Sequence, residues 1–201
     1  MQWLHSYSVI EVIPETYFAP IDLLATFGRI APLQVDLGCG EGSFLLELAQ
    51  RNPQKNYLGT EKLASRVEKV CRKTALLNNV RVLKVESSYA VRFLLPQDSV
   101  ETFYLMFPDP WPKRRHHRRR LVTNHFLDSI YHTLEGDGTL RIATDQRDYF
   151  EQIERTAQHH SGFRFVDLDD VDLPATKFEK RFSAQGAQIY RLSLRKISPL
   201  T

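Results

Sequence analysis

Apolar and polar positions along this chain follow two periods, and the switches between them divide it into strands and helices. Short apolar runs bounded by turn residues predict seven strands: Leu33–Leu37, Asn56–Thr60, 80–85, Val100–Met106, 139–143, 162–168 and 189–195. Runs with a 3.6-residue period predict helices at 20–30, Ser43–Arg51, 62–77, 89–95, 123–134 and 147–160. Asp22 falls in the first turn of the first helix and Gly28 near its end. Val100–Met106 is strongly apolar, as expected of a central strand buried on both faces. Residues 1–32 are weakly patterned, and Trp3, Leu4, Tyr7, Val9 and Ile10 either pack against the domain or form a short arm. Residues 169–188 read as a polar link. Alternating strands and helices predict an α/β fold, a mostly parallel sheet with helices on both faces. No repeat or low-complexity linker divides the chain, so one domain is expected over residues 1–201, with an arm and helix in 1–32 and the core in 33–201.

Composition narrows the class. The chain has 201 residues, 42% hydrophobic and 25% charged, enough for one sizeable core. It carries no apolar run of membrane-spanning length and no signal-peptide pattern, so a cytoplasmic protein with no membrane partner is expected. Cys39 and Cys71 make no metal spacing and the histidines are scattered or sit inside a basic run, so no metal is expected. The net charge is +3, from 27 basic and 24 acidic residues. Without Lys113, Arg114, Arg115, Arg118, Arg119 and Arg120 the remainder is 21 against 24, or −3. The positive character is therefore local and points to one anionic contact surface.

Those six cations belong to FPDPWPKRRHHRRR, residues 107–120. Prolines at 108, 110 and 112 fix φ three times, remove three donors and push each preceding residue out of the helical region. The result is a stiff loop holding Asp109 and Trp111 in one relation. A carboxylate beside an indole suits a nucleobase, which can stack on the ring while its N–H edge donates to the acid. Trp111 either stacks on that base or braces the loop. The basic run that follows reads as a clamp on the phosphate backbone, through Arg114, Arg115, Arg118, Arg119 and Arg120.

A second constellation precedes it. Strand Leu33–Leu37 runs into Gly38-Cys39-Gly40-Glu41-Gly42 and then a helix, the opening of a nucleotide-binding α/β fold. The pattern D-x-G-x-G-x-G differs from the dinucleotide fingerprint, since its third glycine comes one position early. Glu61, at the carboxyl end of the second strand, can accept both hydroxyls of a ribose, or simply favour a helix N-terminus. Glu86, after the third strand, can reach an adenine amino group or be a loop acid. Asp145 stands at the end of the fifth strand as a ligand-edge acid, a helix N-cap, or both.

With these residues assembled, the chain resembles the bacterial tRNA (guanine-N7-)-methyltransferases over roughly residues 33–195. The specific motifs are FPDPWPKRRHHRRR, ATDQRDY at 143–149 and TKFEKR at 176–181. The resemblance implies a Rossmann-like class I methyltransferase fold whose seven-stranded sheet has an antiparallel last strand. It implies S-adenosyl-L-methionine as cofactor and methyl transfer to N7 of a tRNA guanine, that of the variable loop, giving 7-methylguanosine. Asp36, Gly38, Gly40, Glu61, Glu86 and Asp109 would surround the cofactor, with Asp109 also at the catalytic centre. Lys113, Asp145, Thr176, Lys177, Phe178 and Glu179 would hold the tRNA. The chain departs from the family pattern at Glu86-Ser87, where Asp-Ala is commoner, at Gln146, often Trp, and at Phe182, near where Gly is usual. A monomer or homodimer is expected. Three rivals compete with this reading. An NAD-dependent oxidoreductase does not fit the glycine spacing. A methyltransferase acting on another RNA, on protein or on small molecules is the second, and for the non-RNA targets the basic run would be wasted. A non-catalytic RNA-binding subunit would not need Asp36, Glu61 and the glycine loop.

Overall fold

The computed structural model describes residues 10–167 and 173–197. Trp3, Leu4, Tyr7 and Val9 of the expected arm and Leu168 of the sixth expected strand lie outside the described residues. The strands are β1 (Glu11–Val12), β2 (Leu33–Leu37), β3 (Asn56–Thr60), β4 (Val80–Leu83), β5 (Val100–Met106), β6 (Leu134–Thr144), β7 (Phe163–Phe165) and β8 (Tyr190–Lys196). They form one sheet in the order β1-β4-β3-β2-β5-β6-β8-β7. The sheet has eight strands where seven were expected. The addition, β1, pairs in parallel with Val82 and Leu83 of β4. Two residues are too few to show an alternation, so this strand has no signature of its own in the weakly patterned N-terminal segment. As expected, the last strand is antiparallel: β8 opposes both β6 and β7.

Among the described residues the helices flanking the sheet are α1 (Leu23–Phe27), α2 (Ser43–Arg51), α3 (Ala64–Thr74), α4 (Ser87–Tyr89), α5 (Asn124–Thr133), α6 (Arg147–Gln158) and α7 (Lys177–Ala184). Helix α4 widens into a π-helical turn over Ala90–Leu94. Asp22 caps α1 by accepting from the Ala25 amide, and Gly28 ends it in the left-handed region at φ +69°. Side chains on β5 alternate between two cores, Phe103 and Leu105 to one, Tyr104 to the other. Phe44, Leu45 and Leu48 of α2 with Val67 and Val70 of α3 complete the second core. Phe126, Leu127 and Ile130 of α5 with Tyr149 and Ile153 of α6 complete the first. The sheet is therefore covered on both faces, and β2, β3 and β4 are buried along their whole length.

Two further elements differ from the sequence expectation. The link at 169–188 contains helix α7, opened by an N-cap in which the Thr176 hydroxyl accepts from the Glu179 amide at 3.0 Å. Strand β6 starts at Leu134 rather than Thr139, because residues 135–138 form an irregularity between the Val100–Leu134 and Thr102–Thr139 pairs. Asp137 turns the chain there at φ +63°. Among the described residues no helix is long and apolar enough to cross a membrane.

Candidate active site

The carboxyl ends of β2, β3, β4, β5 and β6 gather the residues singled out by chemistry. After β2, Gly38, Gly40 and Gly42 take φ values of +75°, +55° and +72°. Gly42 is doubly constrained: a Cβ there would stand 2.9 Å from Val70 Cγ2, so the loop can close onto α3 only with glycine. Gly42 is also the N-cap of α2, with no side chain satisfying the first-turn amides. The loop is tied to the neighbouring strand ends: the Gly38 amide donates to Thr60 Oγ1 (3.1 Å), which bonds Ser87 Oγ (2.8 Å). Cys39 fills the space above Gly59, and burial pushes its thiol well above the ordinary range, so it is a neutral packing group.

Two buried acids sit beside this loop. Asp36 lies in β2 between Gly59 of β3 and Tyr104 of β5 and is 4% exposed. Burial, and then the Glu61 carboxylate, push its pKa up to about 7. Glu61 is equally buried; it accepts from the Leu63 amide (2.9 Å) and pairs with Arg66 at 3.4 Å. An acid pair without a cation between it is electrostatically unfavourable, and a cationic ligand would relieve it. Glu86 is exposed, caps α4 by accepting from the Tyr89 amide (3.0 Å), and takes the Ser88 hydroxyl on the same oxygen.

The 107–112 segment is the stiff loop that its prolines demand. Phe107 and Trp111 are held at φ +56° and +45°, unusual for bulky side chains. The strain is matched by anchors. The Phe107 amide donates to Ala143 O (2.7 Å). Arg120 donates through Nε to Pro110 O (2.8 Å), through Nη1 to Gln152 Oε1 (2.8 Å) and through Nη2 to Asp148, and stacks over Tyr149. Its side chain is 2% exposed. Arg120 is thus a correction to the expected phosphate clamp: it is a buried strut of the loop, not a surface cation. Lys113, Arg114, Arg115, Arg118 and Arg119 are exposed, the arginines on a 3₁₀ turn over Arg114–Arg119. Arg119 lies 4.9 Å over the Trp111 ring, whose edge meets His116. Asp109 is exposed at the tip.

Strand register brings the remaining acids to the same edge. Met106 of β5 pairs with Ala143 of β6, so Asp109 and Asp145 follow paired positions by three and two residues. Asp145 does not cap α6; the N-cap is Gln146, whose side-chain Nε2 donates to Asp145 Oδ2 (2.6 Å). Helix α7 closes the edge. A small hollow between it and the sheet is lined by Phe44, Met106, Ala143, Pro174, Glu179 and Arg191. Glu179 pairs with Arg191 of β8. Lys177 reaches the glycine loop and pairs with Glu41 at 2.9 Å. Glu41 also takes Lys69, and these lysines lower its pKa to about 2. Sequence reasoning passed over Glu41, Phe44 and Met106. Only the position of Glu41 between two glycines could have signalled it. Among the described residues no group of three or more His, Cys, Asp or Glu side chains could hold a metal ion.

A family profile described as "Putative methyltransferase" matches residues 30–192. The chain is 35% identical over 189 residues to a tRNA (guanine-N(7)-)-methyltransferase of Syntrophotalea carbinolica, covering 90% of this chain and 82% of that one. It is 40% identical over 183 residues to the Halorhodospira halophila protein of the same name, covering 87% and 79%. The Thermotoga maritima protein of that name is 36% identical, and the match spans 89% of this chain but 58% of the longer relative. Among solved structures, the antibiotic-resistance methyltransferase Kmr superposes with a TM-score of 0.63 at 17% identity, covering 94% and 96%. A SAM-dependent methyltransferase from Aquifex aeolicus gives 0.58 at 16%, covering 87% and 88%. These two likenesses establish the fold.

Proposed function

The chain belongs to the tRNA (guanine-N(7)-)-methyltransferase family, and from that premise we propose that it moves a methyl group from S-adenosylmethionine to N7 of a guanine in tRNA. The guanine of the variable loop is the proposed target, and 7-methylguanosine the product. The observation that carries the reading is the convergence, on one sheet edge, of a glycine loop over a buried acid pair with a rigid loop bearing Asp109 and an exposed arginine turn.

The residues of the first half fit the cofactor. The uncapped amides at the start of α2 suit its carboxylate, and Glu61 at the end of β3 suits its ribose hydroxyls. Asp36 and Glu61 together supply the negative charge a sulfonium and an ammonium call for. S-adenosylmethionine supplies an electrophilic methyl group. Glu86 stays a proposed adenine contact, with one oxygen already given to capping α4.

Guanine N7 has an in-plane lone pair and no proton, so no general base is required of the protein. Its tasks are positioning and electrostatics. Positive charge develops on the purine during transfer. A carboxylate that accepts from N1–H and the exocyclic amino group stabilises that charge and selects guanine over adenine, which lacks this donor pair. Asp109 and Asp145 are the proposed carboxylates, with Glu179 third. Asp109 is the proposed catalytic residue, because it stands on the loop the protein strains and braces. Lys113, Thr176, Lys177 and Phe178 are proposed to hold the tRNA. Lys113 with Arg114, Arg115, Arg118 and Arg119 is proposed to take phosphates. A cytoplasmic site of action, alone or as a homodimer, is part of the proposal.

The test is a thermal shift followed by product mapping. S-adenosylhomocysteine should stabilise the protein and NAD should not. Strand scission specific to 7-methylguanosine should then fall in the variable loop of tRNA treated with the enzyme. Stabilisation by NAD alone would remove the cofactor assignment, and scission elsewhere would move the target.

A further inference from the structure

Three phenylalanines meet between the end of β5 and α7. Phe107 follows β5, and its ring lies 5.7 Å from that of Phe182 and 6.3 Å from that of Phe178, at interplanar angles of 40° and 32°. Phe178 and Phe182 are 6.1 Å apart at 23°. Four residues apart on α7, they are neighbours on one side of the helix. Phe178 and Phe182 are stacked, and Phe107 leans against both at a tilt. Packing alone does not account for them. Helix α7 buries none of its residues, and Phe178 is 50% exposed. The helix is held instead by ion pairs, Lys177 with Glu41, Lys180 with Glu47 at 3.5 Å, and Glu179 with Arg191.

We infer that Phe178, braced by Phe182 and Phe107, is a stacking platform for the tRNA base next to the target guanine. The inference rests on the function proposed above and names a subsite of that same edge. Its position supports the occupant. Phe107 stands two residues before Asp109 and is fixed to β6 by its backbone, so the rings begin at the catalytic edge and lead outward onto α7. A guanine drawn to Asp109 must leave the stack of its own strand, and the exposed ring offers its neighbour a replacement for the lost stacking partner. Charge agrees: Arg181 on α7 and the 3₁₀ arginines stand exposed along this edge for the flanking phosphates.

The experiment compares the native protein with Phe178→Ala, Phe178→Leu and Phe178→Trp. It measures steady-state methylation of tRNA and calorimetric binding of S-adenosylhomocysteine. Truncation to Ala and the change to Leu should each raise KM for tRNA about tenfold, the low end of the effect of losing one stacked base. Phe178→Trp should retain the native KM, and none of the three should alter S-adenosylhomocysteine affinity. The extra indole emission of Phe178→Trp should be quenched by tRNA and not by S-adenosylhomocysteine. A Leu variant equal to the native protein would overturn the inference, since only the apolar volume would then matter. An Ala variant with native KM would overturn it as well. If the native protein transfers no methyl to tRNA, the functional reading fails by itself, and the emission still decides the platform: quenching by tRNA supports it and unchanged emission refutes it.

Discussion

Replacing Asp36 with Asn should make the protein more stable and, at the same time, unable to hold its cofactor. Asp36 is buried, and its pKa is raised from 3.8 to about 7 by burial and by Glu61. A shift of about three units is worth about 4 kcal/mol between the two protonation states. The sign follows from which state binds the proton more tightly. The folded chain does, so the cost is absent below about pH 4, where both states are protonated. It grows between pH 4 and 7, and is complete above 7. Asn keeps the shape and cannot ionise, but its own buried amide takes back part of the gain. The expected net stabilisation is about 2–3 kcal/mol at pH 8, or about 4–12 °C in Tm for a chain of this length. The assay is thermal unfolding of both proteins at pH 4, 5.5, 7 and 8.5. The Tm difference should rise with pH and level off above 7, and S-adenosylhomocysteine should raise Tm only for the native protein. A difference that does not vary with pH, or a native protein more stable than Asp36→Asn at pH 8, would refute the electrostatic argument.

Other substitutions separate structural from binding arginines. Arg120→Ala removes three hydrogen bonds and the stack on Tyr149; in urea it should cost about 2 kcal/mol, discounted because Asp148 is half-exposed. The same change should slow methyl transfer through loss of the loop anchor. Arg118→Ala should leave urea stability unchanged and flatten the slope of log Kd for tRNA against log salt by about one unit. Arg120→Ala should leave that slope as it is. Glu41→Gln should release Lys69 and Lys177, and amide exchange in α7 should quicken at pH 7. Lys69 and Lys177 depress the Glu41 pKa to about 2, so its contribution is present above its unfolded value near 4.5 and is lost as pH falls through about 2. Protection of α7 in the native protein should therefore not change between pH 8 and 5.

The central sheet was legible because its strands are buried on both faces and bounded by Gly, Pro and Asp. Leu33–Leu37, Asn56–Thr60 and Val100–Met106 lie where the apolar runs put them. The glycine loop and the 107–112 turn were legible because φ restrictions act locally, whatever the tertiary context. Strand β1 was not, since two residues carry no period. Helix α7 was masked by its exposure: Phe178 and Phe182 are its one apolar pair, too short a stripe to set a period among charged neighbours, and only the Thr-x-x-Glu pattern at its start marks it. The role of Arg120 could not be read from the run, because burial is a tertiary property. Six neighbouring cations look alike in sequence until Asp148, Gln152 and Pro110 select one of them. The link from Lys177 to Glu41 spans 136 residues and has no local signature.

The most direct test of the functional account is methyl transfer from labelled S-adenosylmethionine to unmodified tRNA, with nucleoside analysis of the product, for the native protein and Asp109→Asn side by side. The account predicts label in 7-methylguanosine for the native protein and at least roughly a hundredfold loss of rate in the variant, the scale of removing one preorganised electrostatic contact. Label in any other nucleoside, or an Asp109→Asn protein as fast as the native one, would contradict it.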